Sequence, residues 1–179
     1  MSDLPPLSDY EGTMLGLILR AEPITAYQIF RAYELSPVTN HNNSKGTVYP
    51  IIRRLKQRGL VVSSAVVNDG RGTEQLRSTE AGRAAVRLWA KDIPTQLLSE
   101  DPLRTRVQSF DLLSRLERIE WCAMAKAALA DKLDELQAYR DSVDVPFKDL
   151  VHDGAVSSLQ ARMDWLDRVL RAVVQEEPA

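Results

Sequence analysis

Asn68-Asp69-Gly70, with Gly72 close behind, separates two β-prone arms in a chain whose other patterning is helical. Asp-Gly between such arms suits a tight turn, so a β-hairpin is expected. Its neighbours then limit the fold. Residues 9–21 put Tyr10, Met14, Leu17, Ile18 and Ala21 on one helical face, with Ser8 as N-cap and Glu22-Pro23 as the stop. Thr25 caps a second short helix over 26–35, with Tyr27, Ile29, Phe30 and Tyr33 as its apolar positions. Residues 36–43, SPVTNHNN, form a polar connector. Ser44 or a neighbouring Asn caps the third helix, whose stripe is Val48, Ile51, Ile52 and Leu55 at i, i+3, i+4, i+7 spacing. Pro50 falls near the first turns of that helix, where a missing N–H costs least, and Gly59 ends it. After the hairpin, Thr79 caps a further helix, EAGRAAVRLWAKDI.

Residues 8–92 thus read helix, helix, helix, hairpin, helix, the order of a winged helix-turn-helix with a loop in place of its short turn. Charge patterning points to a use for the third helix. The net charge is −2, yet residues 45–83 carry +5 while 1–44 carry −3 and 84–179 carry −4. Within SKGTVYPIIRRLKQRGLV, Arg53, Arg54, Lys56 and Arg58 follow Lys45. Such a helix is either a solvated surface or one that lies against a polyanion. A recognition helix turns its N-terminal residues toward base edges, here Ser44, Lys45, Gly46 and Thr47. Tyr49, Arg53 and Arg54 are placed to hold phosphates, although Tyr49 could equally pack against the first helices. Arg71, Thr73 and Gln75 sit at or just past the hairpin tip, where a wing touches the backbone or a minor groove. Arg58, near the helix end, is expected to be solvated or ion-paired.

Pro94 and Pro102 bracket an expected linker over 93–102, and residues 103–176 form a helical domain. Its expected parts are a helix over 103–114, a long Ala-rich helix over 116–142 with Leu129, Leu133 and Leu136 on one face, an interruption at VDVPFKDLVHDG, and a helix over 155–175. In the last, Val156, Leu159, Met163, Leu166, Leu170 and Val173 make a strict a/d seam. The favoured reading is a homodimer interface, because a single DNA reader of this size is short of contact area. Packing on the 116–142 helix of the same chain is the alternative. The fold class is therefore mainly α with a small β-hairpin: an N-terminal winged helix-turn-helix plus a C-terminal long-helix dimerisation domain.

SKGTVYPIIRRLKQRGLV followed by GRGTEQLRSTEAGRAAVRLW resembles the PadR family of bacterial transcriptional regulators. The shared elements are the small-residue helix start leading to Tyr49-Pro50, the following Arg54-Leu55 and Gly59-Leu60, the hairpin, and Thr79-Glu80-Ala81-Gly82-Arg83. The resemblance covers residues 10–92, and more loosely the C-terminal helices. It implies a homodimeric repressor whose third helices enter successive major grooves of a palindromic operator in double-stranded DNA, with small aromatic or drug-like inducers. Leu76 and Ser78 stand where the family has an aromatic and an apolar residue, and Glu74 adds a negative charge beside the wing.

The acidic total charge and the altered wing leave one alternative, a winged-helix protein-interaction module without specific DNA binding; the remaining function classes find little support. The composition, 44% hydrophobic and 27% charged, is that of a soluble globular protein. No apolar run approaches the roughly 18 residues of a membrane span. The acidic, Pro-containing start does not read as a signal peptide, and the single cysteine, Cys122, cannot form an internal disulfide. A cytoplasmic protein is expected. His41 and His152 lie far apart without metal-ligand spacing, no Gly-rich phosphate cradle occurs, and no nucleophile constellation is evident. The chain is expected to be no enzyme and to need no metal or cofactor, with Cys122 a small buried hydrophobe. Trp89, Trp121 and Trp165 are either core residues or walls of a pocket for a flat aromatic ligand. His41, Trp121, His152 and Trp165 are the expected effector-binding residues.

Overall fold

A computed structural model describes residues 6–37, 45–65, 72–94 and 101–176. The chain forms two units, residues 1–95 and 96–179. The first contains α1 (Asp9–Ala21), β1 (Ile24–Thr25), α2 (Ala26–Leu35), α3 (Lys45–Gln57), β2 (Val61–Ala65), β3 (Glu74–Ser78) and α4 (Glu80–Lys91). Ser8 and Glu11 make a reciprocal capping box at the start of α1, and Thr25 and Gln28 make another at the start of α2. Gly59, with φ of 68°, closes the turn after α3 in the left-handed region.

The expected hairpin is part of a three-stranded antiparallel sheet in the order β1-β3-β2. Ile24 pairs with Leu76 and Thr25 with Gln75, so the connector after α1 adds a strand too short to show periodicity. The core joins Met14, Leu15 and Ile18 to Ile29, Tyr33, Val48, Ile51, Ile52, Leu55, Leu60, Val61 and Leu76. The stripe read from α3 is buried as expected. On α1, Leu15 is fully buried and Ala21 is exposed, because α2, α3, α4 and β3 surround this helix and demand more than one stripe. Tyr27 is also exposed rather than apolar core.

Gly82 explains why small residues open α4. A Cβ there would stand 2.2 Å from the Leu60 carbonyl oxygen. That close approach lets the Thr79 N–H donate to Leu60 O at 3.1 Å and its hydroxyl donate to Gly59 O at 2.7 Å. At the far end of α4, the Trp89 indole lies over Gly12 and donates to Asp9 Oδ1 at 3.3 Å.

The second unit contains α5 (Pro102–Val107), a 3-10 turn (Phe110–Leu112), α6 (Arg115–Ser142) and α7 (Lys148–Gln175). The single helix expected over 103–114 is instead α5 and the 3-10 turn, and Pro102 is the first residue of α5, capped by Asp101. The interruption is confined to residues 143–147, so α7 begins at Lys148 rather than at 155. Phe147, with φ of 59°, turns the chain, and Lys148 Nζ donates back to Val143 O at 3.1 Å. Gly154 does not break the helix; its Cβ position opens onto empty space.

Helices α6 and α7 pack antiparallel. Arg115 donates to the carbonyls of Val173 and Val174, Arg118 pairs with Glu176 at 2.6 Å, Lys126 pairs with Asp167, and Arg140 pairs with Asp149 at 2.8 Å. Each helix buries a row at seven-residue steps: Cys122, Leu129 and Leu136 on α6, and Leu159, Leu166 and Val173 on α7. Three of the six seam residues assigned to a dimer partner are thus closed within the chain. Val156, Met163 and Leu170 are half-buried, and Leu170 packs on a cluster of Phe110, Cys122 and Val173. The periodicity was real, but a neighbouring antiparallel helix produces the same seam as a second copy does.

Candidate nucleic-acid interface

Burying Val48, Ile51, Ile52 and Leu55 forces the other side of α3 outward. Gly46, Tyr49, Pro50, Arg53, Arg54 and Gln57 are all exposed on it. Tyr49 is 47% exposed, so it does not pack into the first helices. Together with Arg53, Lys56, Gln57, Ile52 and Glu74 it lines an open groove of about 580 Å³ between α3 and β3. Lys56 Nζ bonds Glu74 Oε2 across that groove at 2.7 Å, linking α3 to β3. This bond and the Lys56 charge hold the Glu74 carboxyl below its ordinary pKa.

The cations on α3 divide sharply. Among the described residues Arg53 makes no ion pair. Arg54 Nε lies 3.3 Å from Glu11 Oε1, and Arg58 Nη1 lies 2.9 Å from Glu11 Oε2. Burial raises the Glu11 pKa, but the Ser8 N–H and the two guanidiniums outweigh it and leave it lowered. Sequence reasoning missed Glu11 as a partner of α3. Its capping role was legible in Ser8-x-x-Glu11, but nothing local signals pairing with residues more than forty positions away. Glu22 was missed too: it accepts from Ser78 N at 2.5 Å, Ser78 Oγ at 2.8 Å and Arg83 at 2.6 Å, tying the end of α1 to β3 and α4.

The remaining expected contact residues are dispersed. Lys45 opens α3, and Thr47 is half-buried in its first turn. Thr73 stands just before β3, and Gln75 lies within the sheet between Thr25 and Ser64 rather than at the wing tip. Ser44, Arg71 and His41 lie outside the described residues.

The three described effector candidates, Trp121, His152 and Trp165, are not brought together. Trp121 packs edge-on against Phe110 with centroids 5.2 Å apart. These rings, with Thr105, Arg106, Ser109, Leu112 and Leu113, line a cavity of about 520 Å³ in the second unit. Trp165 and His152 sit on α7 and do not line it. From the antiparallel register, His152 is roughly 25 Å along the helix axes from the level of Trp121. Among the described residues no group of His, Cys, Asp or Glu could hold a metal ion, and no helix is long and apolar enough to cross a membrane.

A three-helix core with a β-wing packed on it defines a winged helix-turn-helix unit. Residues 14–88, which lie within this unit, match the family described as Transcriptional regulator PadR-like family. Members of that family are transcriptional regulators rather than enzymes. A curated relative, Transcriptional regulator Rv3488 of Mycobacterium tuberculosis, is 51% identical over 43 residues, which are 24% of this chain and 40% of the relative. Solved structures show the same fold over most of the chain. Bacillus subtilis PadR in complex with operator DNA matches with a TM-score of 0.76 at 17% identity, covering 93% of this chain and 99% of that one. The same protein in complex with p-coumaric acid matches with a TM-score of 0.73 at 18% identity, covering 92% and 98%. The Vibrio cholerae virulence activator AphA matches with a TM-score of 0.62 at 18% identity, covering 91% and 96%.

Proposed function

We propose that this protein is a sequence-specific, homodimeric transcriptional repressor of the cytoplasm that binds a palindromic operator and is released by a small aromatic effector. The observation that carries the reading is the exposed, cation-bearing face of α3 opposite its buried stripe, braced against β3 by Lys56 and Glu74. Lys45, Gly46 and Thr47, with Ser44, approach the bases. Tyr49 and Arg53 hold phosphates, and Arg71, Thr73 and Gln75 serve the wing. Exposed Leu116 and Met124 on α6, with the open sides of Val156, Met163 and Leu170, supply apolar surface for a second copy. The Phe110–Trp121 cavity, with Arg106 at its wall, suits a small aromatic ligand. A footprint on the DNA upstream of its own gene tests the reading. Two protected half-sites, centred about 10 base pairs or a multiple apart, are expected; an unprotected duplex contradicts it.

A second reading, an interaction module without specific DNA binding, is favoured by the ion pairs. Glu11 and Glu74 engage three of the four cations that follow Lys45, namely Arg54, Arg58 and Lys56. The footprint separates the two.

A further inference from the structure

Glu11 carries more charge than its local task requires. In the first turn of α1 it serves the Ser8 capping box, accepting the Ser8 N–H at 3.2 Å. Gln at that position closes such a box as well as Glu does, so the box needs no charge. Yet the Glu11 side chain is only 9% exposed, and its two oxygens each hold one arginine of the α3 segment, Arg54 at 3.3 Å and Arg58 at 2.9 Å. Arg53, next to Arg54 in sequence, makes no ion pair among the described residues. Arg54 is also half exposed, at 52%, so it stands at the border of the reading surface, whereas Arg58 is 17% exposed.

We propose that Glu11 is a positioning residue for DNA recognition: its carboxylate, anchored on its other oxygen by the largely buried Arg58, holds the Arg54 guanidinium off the phosphate backbone and so limits sequence-independent affinity. Non-specific binding is almost wholly the release of counterions by cations that neutralise phosphates. An arginine already neutralised by a protein carboxylate releases none. Withholding Arg54 lowers affinity for any duplex while leaving the N-terminal end of α3 to discriminate among sequences. The inference rests on the DNA-binding reading above and names a residue that tunes it.

The test uses the full chain as wild type, Glu11→Gln, Glu11→Gln/Arg54→Gln and Arg54→Gln. Fluorescence anisotropy follows binding to the upstream duplex and to a scrambled one across a salt series. Circular dichroism checks that each variant is folded. For Glu11→Gln, the log–log salt slope on scrambled DNA should steepen by about 0.9 for each Arg54 released, roughly 1.8 for a dimer. Affinity for scrambled DNA should rise several-fold, and preference for the upstream duplex should fall. The double variant should return to the wild-type slope, and Arg54→Gln alone should leave that slope unchanged. An unaltered or shallower slope in Glu11→Gln, with wild type binding normally, overturns this inference alone. Should Glu11→Gln fail to fold, a flattened slope in Arg54→Gln overturns it and an unchanged slope supports it. Absence of salt-dependent binding by wild type overturns the DNA reading itself, and this inference with it.

Discussion

Replacing Gly82 by Ala should destabilise the first unit, although Ala is the better helix former. The added methyl would sit 2.2 Å from Leu60 O, whereas ordinary contact begins at 3.4 Å. The obstacle is backbone, so the start of α4 must withdraw by roughly 1 Å. Withdrawal stretches Thr79 N to Leu60 O from 3.1 Å and Thr79 Oγ1 to Gly59 O from 2.7 Å. Losing two such bonds, with a carbonyl left short of a partner, costs about 2–4 kcal/mol. The helix-propensity gain of Ala over Gly returns about 1 kcal/mol. A net loss of about 1–3 kcal/mol is expected. The assay is urea unfolding in a Trp121→Phe/Trp165→Phe background, where Trp89 is the only remaining indole of the three and reports the first unit. A midpoint equal to or above that of the parent would refute the close-approach argument.

Other consequences can be checked independently. Arg53→Ala should flatten the salt dependence of DNA binding by about 1.8 log units per log unit of salt in a dimer, read by anisotropy. Arg54→Ala, already held by Glu11, should change it little. Leu166→Ala, in a fully buried seam position, should cost about 2–5 kcal/mol, while Leu116→Ala, 64% exposed, should stay within about 0.5 kcal/mol by thermal unfolding of the full chain. Glu11 and Asp101 both have folded pKa values below their ordinary ones: burial raises them, but hydrogen bonds and arginine partners outweigh it. Their stabilisation is therefore full above the ordinary carboxylate pKa and lost as pH falls through the lowered values, so Glu11→Gln should make acid unfolding shallower. Cys122 is buried and its thiol pKa is raised, so it should react with a thiol reagent far more slowly in the folded protein than in urea.

Much of the first unit was legible because its signals are local. Ser8, Thr25 and Thr79 are strong N-caps, the α3 stripe has an unambiguous period, and Asp69-Gly70 announces the hairpin. What escaped depended on contacts distant in sequence. The strand Ile24–Thr25 exists only through pairing with Gln75 and Leu76. Leu15 is buried because several elements enclose α1, which no single-helix period records. The pairing of Arg54 with Glu11 joins two helices and leaves no mark in the local pattern of either. In the second unit the a/d seam was read correctly as a packing surface, but periodicity does not name the partner, and α6 fills much of it. The start of α7 was misplaced because Gly154 and Pro146 resemble breakers, while a solvent-facing Gly interrupts no hydrogen bond of the helix.

The central claim is that the outer face of α3 reads DNA. Anisotropy with the duplex upstream of this protein's own gene, against a scrambled duplex of equal length, tests it most directly at about 50 and 200 mM salt. The account predicts preference for the upstream duplex and an affinity loss on the order of 10³-fold over that salt range, as about six neutralised phosphates require. Equal, weak and salt-insensitive binding to both duplexes would contradict it.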